Sequence, residues 1–162
     1  MPNSKPVIAP SGLRDEDLRQ AIELLFFAYR DFTARADTIL AKQSFGRAHH
    51  RVIYFVGRHP GITVSALLEI LGITKQSLAR VLGQLVREHY ILQKKGTQDG
   101  RQRLLHLTDK GRELERMLTT EQRARIAAAY KDAGPSAVEG FRKVMLGIMN
   151  DDARWRFKMG GD

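Results

Sequence analysis

The first third of the chain carries apolar side chains at intervals that alternate between four and three residues. This spacing runs from Leu18 through Tyr29 to Ile39, and it is the pattern of a helix with one continuous apolar seam. We therefore predict a long first helix over residues 13–42. Residues 1–12, which hold three prolines, are expected to form a flexible arm in front of it.

Three shorter helices are predicted next, and turn residues separate them. Pro60 and Gly61 end the first of them, and Gly72 suits the left-handed position after the second. Thr63 and Thr74 are good N-caps for the second and third. The three helices are expected over residues 46–59, 64–71 and 75–88.

The pattern then changes to that of β-strands. Residues 91–95 and 103–107 are predicted strands, and the polar segment between them contains two glycines, so the two strands form a hairpin. Two further helices are expected over about residues 109–150, with a break at Gly134 and Pro135. The last segment, residues 151–162, is expected to be a partly ordered tail.

Together these elements predict a mainly α-helical fold with a small β-hairpin wing. A short helix, a glycine turn, a capped helix and a hairpin follow one another within about residues 47–108, which is the order of a winged helix–turn–helix. Longer helices flank this module over about residues 13–42 and 109–150.

The composition excludes several classes of function. The chain of 162 residues contains no cysteine, which excludes disulfides, thiolate catalysis and cysteine-rich zinc sites. Its five histidines lack the spacing of metal ligands, and the motifs of nucleotide-binding loops and hydrolases are absent from the sequence. No apolar run is long enough to span a membrane. We therefore expect a cytoplasmic protein that is not an enzyme and needs no metal or cofactor.

The charge is concentrated in the middle of the chain. Residues 42–103 carry a net charge of +8 out of the total of +9, whereas both ends are nearly neutral. Such a focused basic region favours a nucleic acid as the partner. A solvated basic face is the alternative.

The helix predicted over residues 75–88 has the two faces that a helix in the DNA major groove needs, one apolar and one rich in hydrogen-bond donors. Gln76, Arg80 and Gln84 follow one another at intervals of four residues, and Arg and Gln can contact a base edge with two hydrogen bonds. An ordinary amphipathic surface helix is the alternative. The residues predicted to contact DNA here are Thr74, Lys75, Gln76, Ser77, Arg80, Gln84 and Arg87.

Several short motifs lie in this helix, in the predicted hairpin and around them. They are the Gly72-Ile73-Thr74 turn, Ser77 and Leu78, the Asp99-Gly100-Arg101 step, and the run Leu107-Thr108-Asp109-Lys110-Gly111. Together they resemble the MarR family of bacterial transcription regulators, and the flanking helices extend the resemblance to nearly the whole chain. Within that family, the run of residues 47–51 (RAHHR) resembles a PetP-like branch.

The resemblance implies a homodimer that is formed by the flanking helices and binds pseudo-palindromic double-stranded DNA. It implies that Arg101 at the wing tip reaches the minor groove and that Asp99 orients it; a local salt bridge in the turn, with no role in DNA binding, is the alternative. Lys94, Lys95 and Arg103 are expected to hold phosphates along the wing, unless they form only a solvated strand face.

The apolar faces of the flanking helices support a dimer independently of this resemblance. A monomer of this size would struggle to bury both faces together with the winged module. The alternative is that the two faces pack only on each other within one chain. The residues predicted for the dimer interface are Leu18, Ile22, Leu25, Val138, Phe141, Met145 and Ile148.

The resemblance also implies a small anionic or phenolic effector between the flanking helices and the winged module. Arg or His beside aromatic rings suits an aromatic carboxylate, and plain core packing is the alternative. The residues predicted for this site are Tyr29, Phe32, Ala36, His49, Arg51, Ile53 and Tyr54. The predicted function is therefore a ligand-responsive, sequence-specific DNA-binding regulator; the alternative is a winged-helix protein-interaction module without specific DNA binding.

Overall fold

The computed structural model describes residues 12–160, so the arm predicted before the first helix lies outside the described residues except for Gly12. The described chain is mainly helical and contains one small antiparallel sheet. Along the chain its elements are α1 (Asp15–Ala41), α2 (Arg47–Arg58), β1 (Ile62–Thr63), α3 (Val64–Leu71), α4 (Lys75–Arg87), β2 (Ile91–Lys95), β3 (Arg103–Leu107), α5 (Asp109–Ala133), α6 (Pro135–Ile148) and α7 (Asp151–Met159).

The predicted fold class is confirmed, and two elements go beyond the prediction. The sequence pattern missed β1, which adds a third strand to the hairpin by pairing with β3. It also missed α7, which replaces most of the expected partly ordered tail. The guanidinium of Arg154 anchors α7 by donating to the carbonyls of Leu146, at 2.9 Å, and Met149, at 3.1 Å, at the end of α6.

The core of the winged module forms around β3, the central strand of the sheet. Leu105 in β3 is fully buried, and it pairs with Ile62 of β1 and Gln93 of β2. Helices α2, α3 and α5 contact the same strand, and α4 packs on α2 and β2. The buried side chains of this core include Val52, Ile53, Val56, Leu67, Leu78, Val81, Leu82, Leu85, Ile91, Leu105 and Leu107.

A close backbone approach joins α5 to the end of the winged module. The carbonyl of Tyr90 accepts a hydrogen bond from the backbone N–H of Thr108 at 3.1 Å, and the Thr108 hydroxyl caps α5 by accepting from the N–H of Gly111 at 3.0 Å. A Cβ atom on Gly111 would lie 2.1 Å from the Tyr90 carbonyl oxygen. Only glycine therefore fits at this junction.

Only the second half of α1 belongs to the core of the subunit. Thr33, Ala36 and Leu40 are buried there, where α1 packs on α5 and α2. Residues 18–31 are exposed along their whole length, and α6, which packs on α5, has no buried residue. The two ends of the described chain thus carry apolar surface that the subunit does not bury.

Candidate nucleic-acid interface

A glycine and a threonine set the start of α4, the predicted recognition helix. Gly72 has a φ of 62° and ends α3 in the left-handed conformation. Thr74 then caps α4, because its hydroxyl oxygen accepts from the backbone N–H of Ser77 at 3.1 Å. The first turn of α4 contains Lys75 and no acidic residue, so the positive end of the helix dipole is suited to bind a phosphate.

Helix α4 presents one buried side and one exposed side. Its buried side consists of leucine and valine residues packed into the core. Its exposed side carries most of the donors that the sequence predicted. The predicted DNA-contacting residues that are exposed on or beside α4 are Thr74, Lys75, Gln76, Ser77, Arg80 and Arg87.

Gln84 departs from the prediction that it faces outward with Gln76 and Arg80. It is half-buried, and its Oε1 atom lies 2.8 Å from Nε2 of His49 on α2. The reason is geometric: a stripe with a spacing of four residues winds around a helix by about 40° per step. Two steps after Gln76, the stripe has turned toward α2, so Gln84 joins two helices and does not stand free on the exposed side.

The wing tip holds Arg101 through its backbone. Oδ1 of Asp99 accepts from the backbone N–H of Arg101 at 3.0 Å, and the Arg103 guanidinium donates to the carbonyl of Gly100 at 3.1 Å. In the described structure the side chains of Asp99 and Arg101 form no ion pair, so the local salt bridge of the alternative is not present. Asp99 therefore shapes the turn through the backbone and does not engage the exposed Arg101 side chain.

The other wing cations are divided between the two faces of the hairpin. Lys95 lies opposite Arg103 across the strands, whereas Lys94 lies opposite Leu104. Because side chains alternate along a strand, Lys94 points away from the face that Lys95 and Arg103 share. All three are exposed, but they do not form one row. Like charges that face each other are destabilising, so the Lys95–Arg103 pair is the better place for a phosphate.

A cleft of about 1150 Å³ lies between α1, α2 and α5, with aromatic rings and arginines in its wall. The Arg51 guanidinium donates to the Tyr29 hydroxyl at 3.2 Å, and Arg47 pairs with Asp37 at 3.0 Å. Burial lowers the pKa of the His50 imidazole, against the opposing effect of Asp37. Arginines therefore supply the positive charge of the cleft. Its wall includes Tyr29, Phe32, Arg47, His50, Arg51, Tyr54, Arg58, Arg116, Arg123 and Tyr130.

Three residues predicted for the effector site do not line this cleft. Ala36, His49 and Ile53 are 1%, 6% and 0% exposed, because they lie on the sides of α1 and α2 that pack into the core. Sequence reasoning also missed the wall formed by α5, where Arg123 and Tyr130 lie seven residues apart and so share a helix face. The predicted residues that do line the cleft are Tyr29, Phe32, Arg51 and Tyr54.

The predicted dimer surface is largely uncovered in the subunit. Ile22 on α1 is 68% exposed and Phe141 on α6 is 47% exposed. The alternative in which these two apolar faces pack only on each other is therefore wrong. Of the other predicted interface residues, Leu18, Leu25 and Ile148 are exposed, and Val138 and Met145 are half-buried.

Within residues 12–160, no group of three potential metal ligands comes together. No helix in that range is both long and apolar enough to cross a membrane.

Comparison with known proteins identifies the family to which this arrangement belongs. The model of the MarR family matches residues 44–102. The HTH-type transcriptional regulator PetP of Rhodobacter capsulatus is 50% identical over 156 residues, which cover 93% of this chain and 94% of the relative. The chain belongs to the MarR family. The resemblance in the sequence motifs is thereby confirmed, and so is the expectation that this MarR-family chain is a transcriptional regulator and not an enzyme.

Solved structures agree with the MarR-family fold. Streptococcus pneumoniae FabT in complex with DNA superposes with a TM-score of 0.70 at 22% identity, over 81% of this chain and 94% of that chain. The transcriptional regulator SlyA superposes with a TM-score of 0.65 at 14% identity, over 86% of this chain and 94% of that chain. At these identities, both comparisons support the fold alone.

Proposed function

We propose that this MarR-family chain is a homodimeric regulator that binds a pseudo-palindromic DNA site in a sequence-specific way and responds to a small anionic or phenolic ligand. The observation that carries the proposal is the exposed donor face of α4, with Gln76 and Arg80 on it. Gln and Arg suit base edges in the major groove. The binding of DNA by FabT supports the same use of this fold.

The dimer part of the proposal is supported by the exposed apolar surface on α1, α6 and α7. On α1, Leu18, Ile22 and Leu25 form a seam that the subunit leaves exposed. Contiguous apolar surface of this kind marks a protein interface. A second copy of the chain is its proposed partner, and a two-fold dimer would present two recognition helices to two half-sites.

Arg101 and Arg80 are expected to contribute differently to DNA binding. Arg101→Ala removes a wing charge that reads groove shape, so affinity for an operator falls, and the salt dependence decreases by about one unit of slope per half-site. Arg80→Ala removes a base contact, so it relaxes base preference at one position and costs about 1–3 kcal/mol. Both effects are measured by fluorescence anisotropy in a salt series with two duplexes. The selected duplex is the one that the wild-type protein enriches from a random pool, and the scrambled duplex has the same bases in shuffled order.

The matched control for these variants is Arg125→Ala, because Arg125 lies on α5 and pairs with Glu121 at 3.5 Å, away from α4 and the wing. It should keep wild-type affinity and base preference. Equal binding of selected and scrambled duplexes by the wild-type protein would contradict specific recognition. Absence of DNA binding at low salt would favour the protein-interaction module.

The effector part of the proposal rests on the cleft between α1, α2 and α5. We expect 4-hydroxybenzoate to raise the melting temperature by mass action, and the cation 4-hydroxybenzylamine, which has a similar ring, to have no effect. Arg123→Ala should weaken 4-hydroxybenzoate binding about tenfold, because it removes a charge-assisted contact. Thermal melting and isothermal titration calorimetry measure these effects.

Arg125→Ala is again the control for the cleft, since Arg125 is an arginine of the same helix outside the lining residues. Two results would contradict a cleft that selects anions. One is an equal shift of the melting temperature with 4-hydroxybenzoate and 4-hydroxybenzylamine, and the other is an equal loss of 4-hydroxybenzoate affinity in Arg123→Ala and Arg125→Ala.

A further inference from the structure

His49 is a buried polar residue in α2 whose two ring nitrogens both have partners. The side chain is 6% exposed. Its Nδ1 atom lies 3.1 Å from the backbone nitrogen of Gly46, and its Nε2 atom lies 2.8 Å from Oε1 of Gln84. The first partner belongs to the start of α2, and the second belongs to the recognition helix α4.

The two contacts together define the tautomer of His49. A backbone N–H can only donate, so Nδ1 accepts from Gly46 and carries no proton. The proton of the neutral ring is then on Nε2, which donates to the Gln84 carbonyl oxygen. His49 is therefore a directional link, with one acceptor and one donor in use.

Aromatic packing holds the imidazole in this orientation. The His49 ring stacks on Phe45, with ring centroids 4.6 Å apart and an interplanar angle of 13°. Phe45 in turn packs in a T-shaped arrangement on Tyr90, just beyond α4, with ring centroids 5.3 Å apart. A ring turn at His49 would disrupt both the stacking and the two hydrogen bonds.

We infer that His49 is a positioning residue for sequence recognition, which sets the orientation of α4 through Gln84. The buried side chains that seat α4, Leu78, Val81 and Leu85, are apolar, and apolar contacts are non-directional. At the C-terminal end of α4, Lys110 donates to the carbonyl of the C-cap residue Glu88 at 2.9 Å. The His49–Gln84 bond adds a directional contact one turn beyond Arg80. Sequence-specific contacts tolerate little displacement, whereas phosphate contacts depend mainly on charge.

The inference rests on the proposed function and extends it to the cleft. The same helix α2 carries His49 on its buried side, and Arg47 and Arg51 in the wall of the cleft. A ligand that shifts the start of α2 would move His49, and with it the anchor of α4. The bond is thus a polar route from the cleft wall to the recognition helix.

The test uses His49→Phe, Gln84→Met and the double variant of the full-length chain. Phenylalanine keeps a ring against Phe45 but removes both hydrogen bonds, and methionine keeps the volume of Gln84 but removes its acceptor. Each single variant should lower the ratio of selected-duplex to scrambled-duplex affinity about tenfold, with unchanged affinity for the scrambled duplex. The double variant should be no worse than His49→Phe alone, since the bond that Gln84→Met removes is one that His49→Phe has already removed.

Gln84→Glu is the conservative variant, because its carboxylate can still accept from Nε2 of His49. Its added negative charge should weaken both duplexes similarly and so retain the affinity ratio. If His49→Phe does not fold, Gln84→Met still tests the inference, because Gln84 is only half-buried and its substitution disturbs the core less.

Two results would overturn the inference. If the single variants melt at a lower temperature but keep the ratio of selected-duplex to scrambled-duplex affinity within about twofold of the wild-type ratio, the bond stabilises the fold and has no role in recognition. Multiplied losses in the double variant would mean that Gln84 acts on DNA independently of His49. Failure of the wild-type protein to discriminate between the duplexes would instead reject the proposed function itself, and the inference with it.

Discussion

An Ile22→Glu variant is expected to be a folded monomer at concentrations where the wild-type protein forms the proposed dimer. Ile22 is 68% exposed in the subunit, so the change removes little packing within one chain. In a dimer that closes over the α1 seam, two carboxylates enter an apolar interface. Each costs at least about 2 kcal/mol, which raises the dissociation constant of the dimer about 1000-fold. Analytical ultracentrifugation gives the mass, and thermal melting checks the fold.

Gln20→Glu is the matched control for this dimer prediction. It introduces the same side chain on the same exposed helix, two residues earlier and so about 160° around the helix axis from Ile22. It should leave the dimer intact. A dimeric Ile22→Glu variant with wild-type affinity for the selected duplex would contradict the proposed interface.

A Gly111→Ala variant is expected to lose at least about 3 kcal/mol of unfolding free energy, the upper end of the cost of an overpacked site. Its Cβ would lie 2.1 Å from the Tyr90 carbonyl oxygen and 3.4 Å from Cβ of Leu107. The backbone must shift to relieve this clash, because neither the Tyr90 carbonyl oxygen nor Cβ of Leu107 is the flexible end of a side chain. That shift would weaken the hydrogen bond between Thr108 and Tyr90 as well. The melting temperature should fall by about 6–12 °C.

Gly140→Ala is the control for this stability prediction. Gly140 lies in α6, where an added Cβ would meet no atom within 4 Å. Alanine has the higher helix propensity, so the variant should melt at or slightly above the wild-type temperature. Equal melting of Gly111→Ala and the wild-type protein by differential scanning calorimetry would contradict the close approach at the junction.

The sequence predicted the elements whose pattern repeats within one segment. Strands β2 and β3 have the bounds expected from the two short runs that flank the polar, glycine-containing segment, and α4 begins directly after Thr74, as its capping sequence indicates. Two elements escaped because they carry little periodic signal. β1 has only two residues, and it forms because Ile62 and Thr63 find partners in β3. In α7, Trp155 and Phe157 lie on different sides of a short helix, so the sequence of this segment shows no apolar stripe that would predict a helix.

The candidate site was predictable where one element provides it, and not where distant elements meet. The exposed face of α4 is a property of one helix, and the spacing of Gln76 and Arg80 reveals it. The contact between His49 and Gln84 joins positions 35 residues apart, which helical spacing does not report. The burial of Ala36 and Ile53 depends in the same way on how α1 and α2 pack, so these two residues do not line the cleft, whereas Tyr29 does.

The most direct test of the central claim is to sequence the DNA that the full-length chain selects from a random duplex pool, and to weigh the resulting complex by native mass spectrometry. A two-fold dimer with one α4 in each half-site predicts an enriched inverted repeat. Its half-sites should be centred about 10 base pairs apart, or a multiple of that spacing. Two chains should be bound to each duplex. An unenriched pool, or a single half-site bound by one chain, would contradict the account of a dimeric, sequence-specific regulator.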